Sequence, residues 1–137
     1  MVNLVIVSHV QQLAEGVKVL AEQMAGGTIA IEAVGGVRNV EGQVAIGTDA
    51  QQIVQAIERC WTEQGVLLLV DLGSAVLSAE LALELLPAAV QATCCISNAP
   101  LVEGAVVAAM EASLGHSLQI VNQAAERAGE IQKVVHG

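Results

Sequence analysis

The 137 residues have the length of one ordinary domain, taken here as 1–137, and 54% of them are hydrophobic, enough to bury a sizeable core. Fourteen acidic against five basic residues give a formal charge of −9, which repels phosphate backbones and anionic lipid and excludes nucleic-acid partners, while leaving proteins with basic faces. No apolar run approaches the roughly 20 residues that span a bilayer, and the N-terminus has no basic leader region, so no membrane contact and a soluble, cytoplasmic protein are expected.

With one tryptophan and no Phe or Tyr, the core has to be built from Ala, Val, Leu and Ile at close helix-to-sheet spacing, which suits an α/β layer fold. The first strand is read around Leu4-Val5-Ile6-Val7, a short, mostly β-branched run of the kind that fills a parallel strand buried on both faces. It ends at Ser8-His9. The apolar series Leu13, Val17, Leu20, Ala21 and Met24 predicts the first helix, stopped by Gly26-Gly27, and Thr28–Ala33 predicts the second strand. Residues 34–47 carry four glycines and no periodicity, and so read as a long functional or mobile loop. Thr48-Asp49-Ala50-Gln51 matches a capping box with Thr48 as N-cap, followed by the stripe Ile53, Ala56, Ile57 and Cys60 of a second helix that Trp61 closes.

Val66–Val70 predicts a third buried strand, ending at Asp71-Leu72-Gly73-Ser74. A third helix follows over Ala75–Leu86, apolar nearly all round, which suggests a subunit interface. The fourth strand is placed at Ala92–Ser97, and Pro100 opens a fourth helix running to Leu114 with Gly115 as its stop. Ser117 caps a last helix whose series Leu118, Val121, Ala124, Ala128, Ile131 and Val135 runs to the end of the chain. The three cysteines are odd in number, and the adjacent Cys94 and Cys95 point to opposite faces of a strand, so reduced thiols are expected rather than a disulfide framework or a shared metal. The expected architecture is three-layer αβα, a four-stranded, mostly parallel sheet with helices on both faces.

In such a sheet reacting groups collect at the carboxyl ends of the strands, and residues distant in sequence meet there. His9 follows the first strand and Asp71 the third. With those strands adjacent, the Asp71 carboxylate can accept the Nδ1–H of His9, leaving Nε2 as a lone-pair nucleophile and stabilising the cation formed on attack. The turns at Gly47-Thr48 and Gly73-Ser74 add helix N-termini, whose free N–H groups and positive dipole end suit a phosphoryl group. Taken singly, a histidine at a strand end is more often a solvated or capping residue, an aspartate there more often a helix N-terminal acid, and such turns ordinary caps. Their coincidence at one sheet edge favours the functional reading. His116 and His136 lack such a setting and read as surface residues.

Val-Ile-Val-Ser-His at 5–9, Ile-Gly-Thr-Asp at 46–49, Val-Asp-Leu-Gly-Ser-Ala-Val-Leu-Ser at 70–78 and Ala-Pro-Leu-Val-Glu-Gly at 99–104 occur in order over most of the chain. With these motifs the sequence resembles the phosphotransferase subunit of the phosphoenolpyruvate-dependent dihydroxyacetone kinase, whose fold is similar to the IIA domain of mannose-type sugar phosphotransferase systems. The resemblance implies a homodimer in which His9 takes phosphate from the phosphocarrier HPr and passes it to ADP on the kinase's ADP-binding subunit. It further implies Asp71 as the neighbour of the phospho-acceptor and Gly47, Thr48, Gly73 and Ser74 as the phosphate-binding shell; neither metal nor cofactor is expected. Val10 departs from the pattern, since the family commonly has a small hydroxyl residue after the histidine. The HPr-like and enzyme-I-like extensions of some members are not expected here. Two alternatives stay open: a IIA domain feeding a mannose-type sugar permease, and a non-catalytic regulatory module. A terminal helix and a Gly-Ser-Ala-Val-Leu-Ser turn at 73–78 favour the kinase subunit over the mannose branch, whose relatives exchange an extra strand after the fourth helix.

Overall fold

The computed structural model describes residues 1–136. Strand β1 (Asn3–Ser8) is buried at every position and sits inside a four-stranded sheet, between β2 (Ile31–Gly35) and β5 (Val66–Val70), with β6 (Cys94–Ile96) beyond β5. All three pairings are parallel, and Val7 lies opposite Val34 on one side and Val70 on the other. The chain leaves β1 for β2 on one flank and returns to β5 on the other, so the carboxyl ends of β1 and β5 diverge at a topological switch point.

Alternate residues of the central strands serve two apolar layers, as expected of parallel strands covered on both faces. Leu4, Ile6, Leu67 and Leu69 meet α1 (Gln11–Ala25), α5 (Leu101–Ser113) and α6 (Leu118–Arg127). Val5, Val7, Leu68 and Val70 meet α2 (Ala50–Cys60) and α3 (Gly73–Glu84). Cys95 packs with the first layer and Cys94 with the second, the opposed orientation read from their adjacency. All three cysteines are free thiols. Burial pushes the Cys60 and Cys94 thiols up, to about 12 and about 11, which leaves both protonated and unreactive. The one polar side chain at the start of β1, Asn3, is satisfied on both ends: its amide donates to the Cys60 carbonyl at 2.6 Å and its oxygen accepts the Ala30 N–H at 2.8 Å. Among the described residues no helix is long and apolar enough to cross a membrane.

Several elements differ from the sequence reading. The second strand begins at Ile31 rather than Thr28, because Gly26 and Gly27 both take left-handed backbone and the Thr28 hydroxyl bonds back to Ala25, so the chain joins the ladder only after Ala30 has met Asn3. Residues 34–47 are not a structureless loop. They fold into a small antiparallel hairpin, β3 (Val37–Arg38) with β4 (Val44–Ala45), whose turn is tied by Asn39 Oδ1 accepting the N–H groups of Glu41 and Gln43. On α1 the buried stripe is Ala14, Val17, Ala21 and Ala25, while Leu13, Leu20 and Met24 stand more than two-fifths exposed. The helices of this layer approach over alanines, and Gly104 of α5 leaves so little room that a Cβ there would lie 2.6 Å from Ala99 Cβ.

Asp49, not Thr48, caps α2, its carboxylate accepting the Gln51 N–H at 2.9 Å. A one-turn helix, α4 (Ala88–Gln91), precedes the fourth strand and shortens it to three residues. Pro100 stands one residue before α5 as its N-cap, rather than inside its first turn. Ser117 caps α6 as read, accepting the Ile120 N–H, but that helix ends at Arg127 and passes into a 3-10 turn at Ala128–Glu130. Ile131 and Val135 continue the apolar spacing in sequence yet remain exposed, so no packing surface holds that segment helical.

Candidate functional site

The β1 strand ends because its last residue is polar and the next, His9, turns out of the sheet. The chain after β5 does the same at Asp71, whose N–H donates to the Val7 carbonyl and so ties the two strand ends together. The Asp71 carboxylate is then surrounded by donors, two on each oxygen. Oδ1 accepts His9 Nδ1–H at 2.8 Å and the Leu72 N–H at 2.8 Å. Oδ2 accepts the His9 backbone N–H at 2.9 Å and the Ser8 hydroxyl at 2.9 Å. Burial pushes the Asp71 carboxyl up, but the hydrogen bonds from His9, Ser8 and Leu72 outweigh it and hold the group below its ordinary value of 3.8.

An ionised carboxylate can only accept, so Nδ1 of His9 carries the proton and Nε2 keeps its lone pair. Nε2 in turn meets the hydroxyl of Ser74, in the first turn of α3. The ring is pinned at both nitrogens with 16% of its side chain still accessible. The N–H groups of Gly73 and Ser74 belong to the first turn of α3 and have no acceptor within the helix, so they and the helix dipole add positive potential beside Nε2.

The four residues read as a phosphate-binding shell are thus not equivalent. Ser74 meets Nε2, and Gly73 precedes it in the first turn of α3. Gly47 lies against the His9 turn, but its N–H donates to the His9 carbonyl at 2.9 Å and supports the turn instead. The Thr48 hydroxyl pairs with that of Ser78 at 2.6 Å, one helical turn along α3 from Ser74. Two residues escaped the sequence reading. Ser8 is fully buried and bonded to Asp71, and its only signal was a hydroxyl ending an otherwise apolar strand. Gly35 packs so tightly on the His9 turn that a Cβ would fall 2.8 Å from the Ser8 carbonyl oxygen and 2.9 Å from that of Val10. Val10, 37% exposed, has no hydroxyl to offer and opens onto a cleft of about 520 Å3 that runs from His9 past Gln11 and Glu15 to Val44 and Ile46 of the hairpin. His116 is at the surface, its Nδ1 on Glu111 Oε2 at 2.5 Å. Among the described residues no three His, Cys, Asp or Glu side chains converge as a metal-binding group.

The lowered Asp71 pKa has a defined consequence for stability. A carboxyl more acidic in the folded state than in the unfolded one contributes stability above the unfolded value, and that contribution is lost as the pH falls through the lowered folded value. The melting-temperature gap between wild type and Asp71→Asn is therefore expected to be present at neutral pH and to close as the pH falls below about 4. A gap that stayed open well below that range would contradict the assignment of Asp71 as the ionised partner.

A family model described as the PTS system fructose IIA component, EIIA-man, matches residues 3–122. The phosphoryl donor subunit DhaM of phosphoenolpyruvate-dependent dihydroxyacetone kinase 2 from Listeria innocua is 37% identical over 123 residues, which cover 90% of this chain and 95% of that protein. The corresponding donor subunits of Klebsiella michiganensis and Escherichia coli are 42% and 44% identical over 100% and 88% of this chain. The matched segments are 29% and 25% of those two proteins, so this chain spans less than a third of their length. Among solved structures, a protein of unknown function superposes with a TM-score of 0.78 at 34% identity, covering 92% of this chain and 93% of the other. A sigma-54 interaction domain protein from Enterococcus faecalis, at 18% identity and a TM-score of 0.69 over 94% of this chain and 90% of its own, shares the fold.

Proposed function

The chain belongs to the family of phosphoryl donor subunits of phosphoenolpyruvate-dependent dihydroxyacetone kinases, within the EIIA-man group of phosphotransferase-system components, and on that premise we propose that it is a phosphohistidine carrier. In this reading His9 takes a phosphoryl group from phospho-HPr and delivers it to ADP held on a dihydroxyacetone kinase subunit. The observation that carries the proposal is the pinning of the His9 ring, Nδ1 on Asp71 and Nε2 beside the first turn of α3.

The Nε2 lone pair attacks the phosphorus in line, the N–P bond forms as the bond to the donor breaks, and that electron pair leaves with the donor. The imidazole becomes cationic, with the Nδ1 proton shared towards the anionic Asp71. The Ser74 hydroxyl occupies the space on which the phosphoryl group must arrive, so it rotates to donate to a phosphate oxygen, joined by the N–H groups of Gly73 and Ser74. Delivery runs the same path in reverse onto a terminal oxygen of the nucleotide. The cleft between α1 and the hairpin gives a partner access to the ring edge, and the acidic surface favours a basic docking face whose association weakens as salt rises. The C-terminal end of the fold supports the kinase over a sugar permease, because α6 is a helix where the mannose branch is expected to use an exchanged strand.

The test is to incubate the protein with phosphoenolpyruvate, enzyme I and HPr, and to record the intact mass before and after mild acid, since phosphohistidine is acid-labile. The expected product carries one acid-labile phosphoryl group and discharges it to an ADP-loaded dihydroxyacetone kinase subunit. Discharge only to a mannose-type IIB protein would assign the sugar branch, and no uptake from phospho-HPr would refute the carrier role.

A homodimer also belongs to this proposal. Helices α3 and α5 are both poor in polar residues, but they lie on opposite faces of the sheet and cannot share one patch. Helix α5 turns Gly104, Ala105, Ala108, Ala109 and Ala112 inward, whereas Leu77 and Leu81 of α3 and Leu85 at its C-cap are exposed at four-residue spacing along one line. A second copy covering that line would remove an apolar strip unusual for a monomer of this size. Light scattering at micromolar concentration is expected to give twice the 14.0 kDa of one chain, falling to one chain in Leu77→Glu/Leu81→Glu. A 14.0 kDa species in the unmodified protein would refute the dimer.

A further inference from the structure

Ser8 is the last residue of β1 and is fully buried, so it cannot touch a partner, a phosphate or solvent. A buried hydroxyl needs partners, and Ser8 has two of opposite sense. Its proton goes to Asp71 Oδ2 at 2.9 Å, because the ionised carboxylate cannot donate. Its oxygen accepts the Val10 N–H at 3.1 Å. His9 thus stands between two backbone N–H groups held by this pair, its own on Asp71 Oδ2 and that of Val10 on Ser8. Val10 is also the N-cap of α1 and lacks a capping side chain, and the Ser8 hydroxyl takes up its N–H at the point where the helix is joined to the histidine.

We infer that Ser8 is a positioning residue for His9, fixing the rotation of the Asp71 carboxylate so that Oδ1 faces Nδ1 and Nε2 faces the first turn of α3. This rests on the carrier reading above for its kinetic consequence, and on geometry alone for its effect on the ring. Without the hydroxyl, Oδ2 keeps only the His9 N–H, and the carboxylate is held by three donors instead of four. The Val10 N–H loses the acceptor it has in the Ser8 hydroxyl. Both changes loosen the histidine while leaving the surface that a donor protein meets untouched.

The experiment compares wild type, Ser8→Ala, Ser8→Thr, Asp71→Ala and the double variant Ser8→Ala/Asp71→Ala, each checked for folding by its melting curve. Two readouts are taken: the rate of phosphoryl uptake from phospho-HPr, and the 15N resonances of the His9 ring, which report the proportion of each tautomer without any phosphoryl transfer. Ser8→Ala is expected to slow the maximal uptake rate by about 10-fold at an unchanged half-saturating concentration of donor, and to raise the Nε2–H tautomer. Ser8→Thr, which keeps a hydroxyl, is expected to recover most of the rate. In the Asp71→Ala background the Ser8 substitution should cost nothing further, since it acts through the missing carboxylate. Wild-type rate and tautomer ratio in Ser8→Ala, or an equal penalty with and without Asp71, would overturn the inference. Should the wild type take no phosphate at all, the carrier reading fails while the tautomer measurement still decides the role of Ser8.

Discussion

His9→Ala is expected to abolish acid-labile phosphorylation, and Asp71→Ala to keep it but form it roughly 10²- to 10⁴-fold more slowly, the usual cost of losing acid–base or orienting help. The two effects differ in kind. Removing His9 removes Nε2, the atom that meets Ser74 in the first turn of α3. Removing Asp71 leaves Nε2 in place but frees the ring to exchange tautomers, so that part of the population presents N–H where a lone pair is needed, and the imidazolium formed on attack has no counter-charge. It also leaves the His9 backbone N–H, the Leu72 N–H and the Ser8 hydroxyl without their acceptor. Intact mass separates these outcomes: no labile phosphate in His9→Ala, and a slow approach to one in Asp71→Ala. A labile phosphate that survived in His9→Ala would move the carrier elsewhere in the chain.

Gly35→Ala is expected to slow phosphoryl uptake by up to about 10²-fold, the scale of an ångström-sized misplacement of a reacting group, although residue 35 bears no functional group. A Cβ at this position would meet the carbonyl oxygens of Ser8 and Val10 at 2.8 and 2.9 Å, and backbone cannot move aside as a flexible side chain can. Either β2 draws back from β1 at its last pair, Ser8 opposite Gly35, or the turn carrying His9 is pushed towards α3. Both outcomes disturb the two contacts of the ring. The measurement is the uptake rate at saturating donor together with the melting temperature. A rate unchanged from wild type in a protein of unchanged stability would mean that the turn tolerates the methyl group, and that the close approach has no bearing on the site.

Much of the fold and the core of the site could be read from the sequence because each rests on a local pattern. Val66–Val70 was legible to the residue, since an unbroken apolar run bounded by Gly65 and Asp71 fits only a doubly covered strand. Cys94 and Cys95 divide between the two layers because adjacent strand residues must. His9 and Asp71 were found together because both end buried strands and a switch point brings such ends into contact. Tertiary structure decided what periodicity does not encode, namely from which side a neighbour arrives and how closely. On α1 three alanines and Val17 face inward rather than Leu13, Leu20 and Met24, because a core without Phe or Tyr closes by bringing helices near, and small residues permit the shorter distance. The glycines of residues 34–47 looked alike in sequence, yet only the position of β2 beside β1 sets Gly35 against the His9 turn. Ser8 and Ser74 were likewise two hydroxyls near two strand ends until the sheet placed one under the carboxylate and the other at Nε2. A hydrogen bond needs its partner within about 3 Å, and that distance is set by packing between segments more than sixty residues apart.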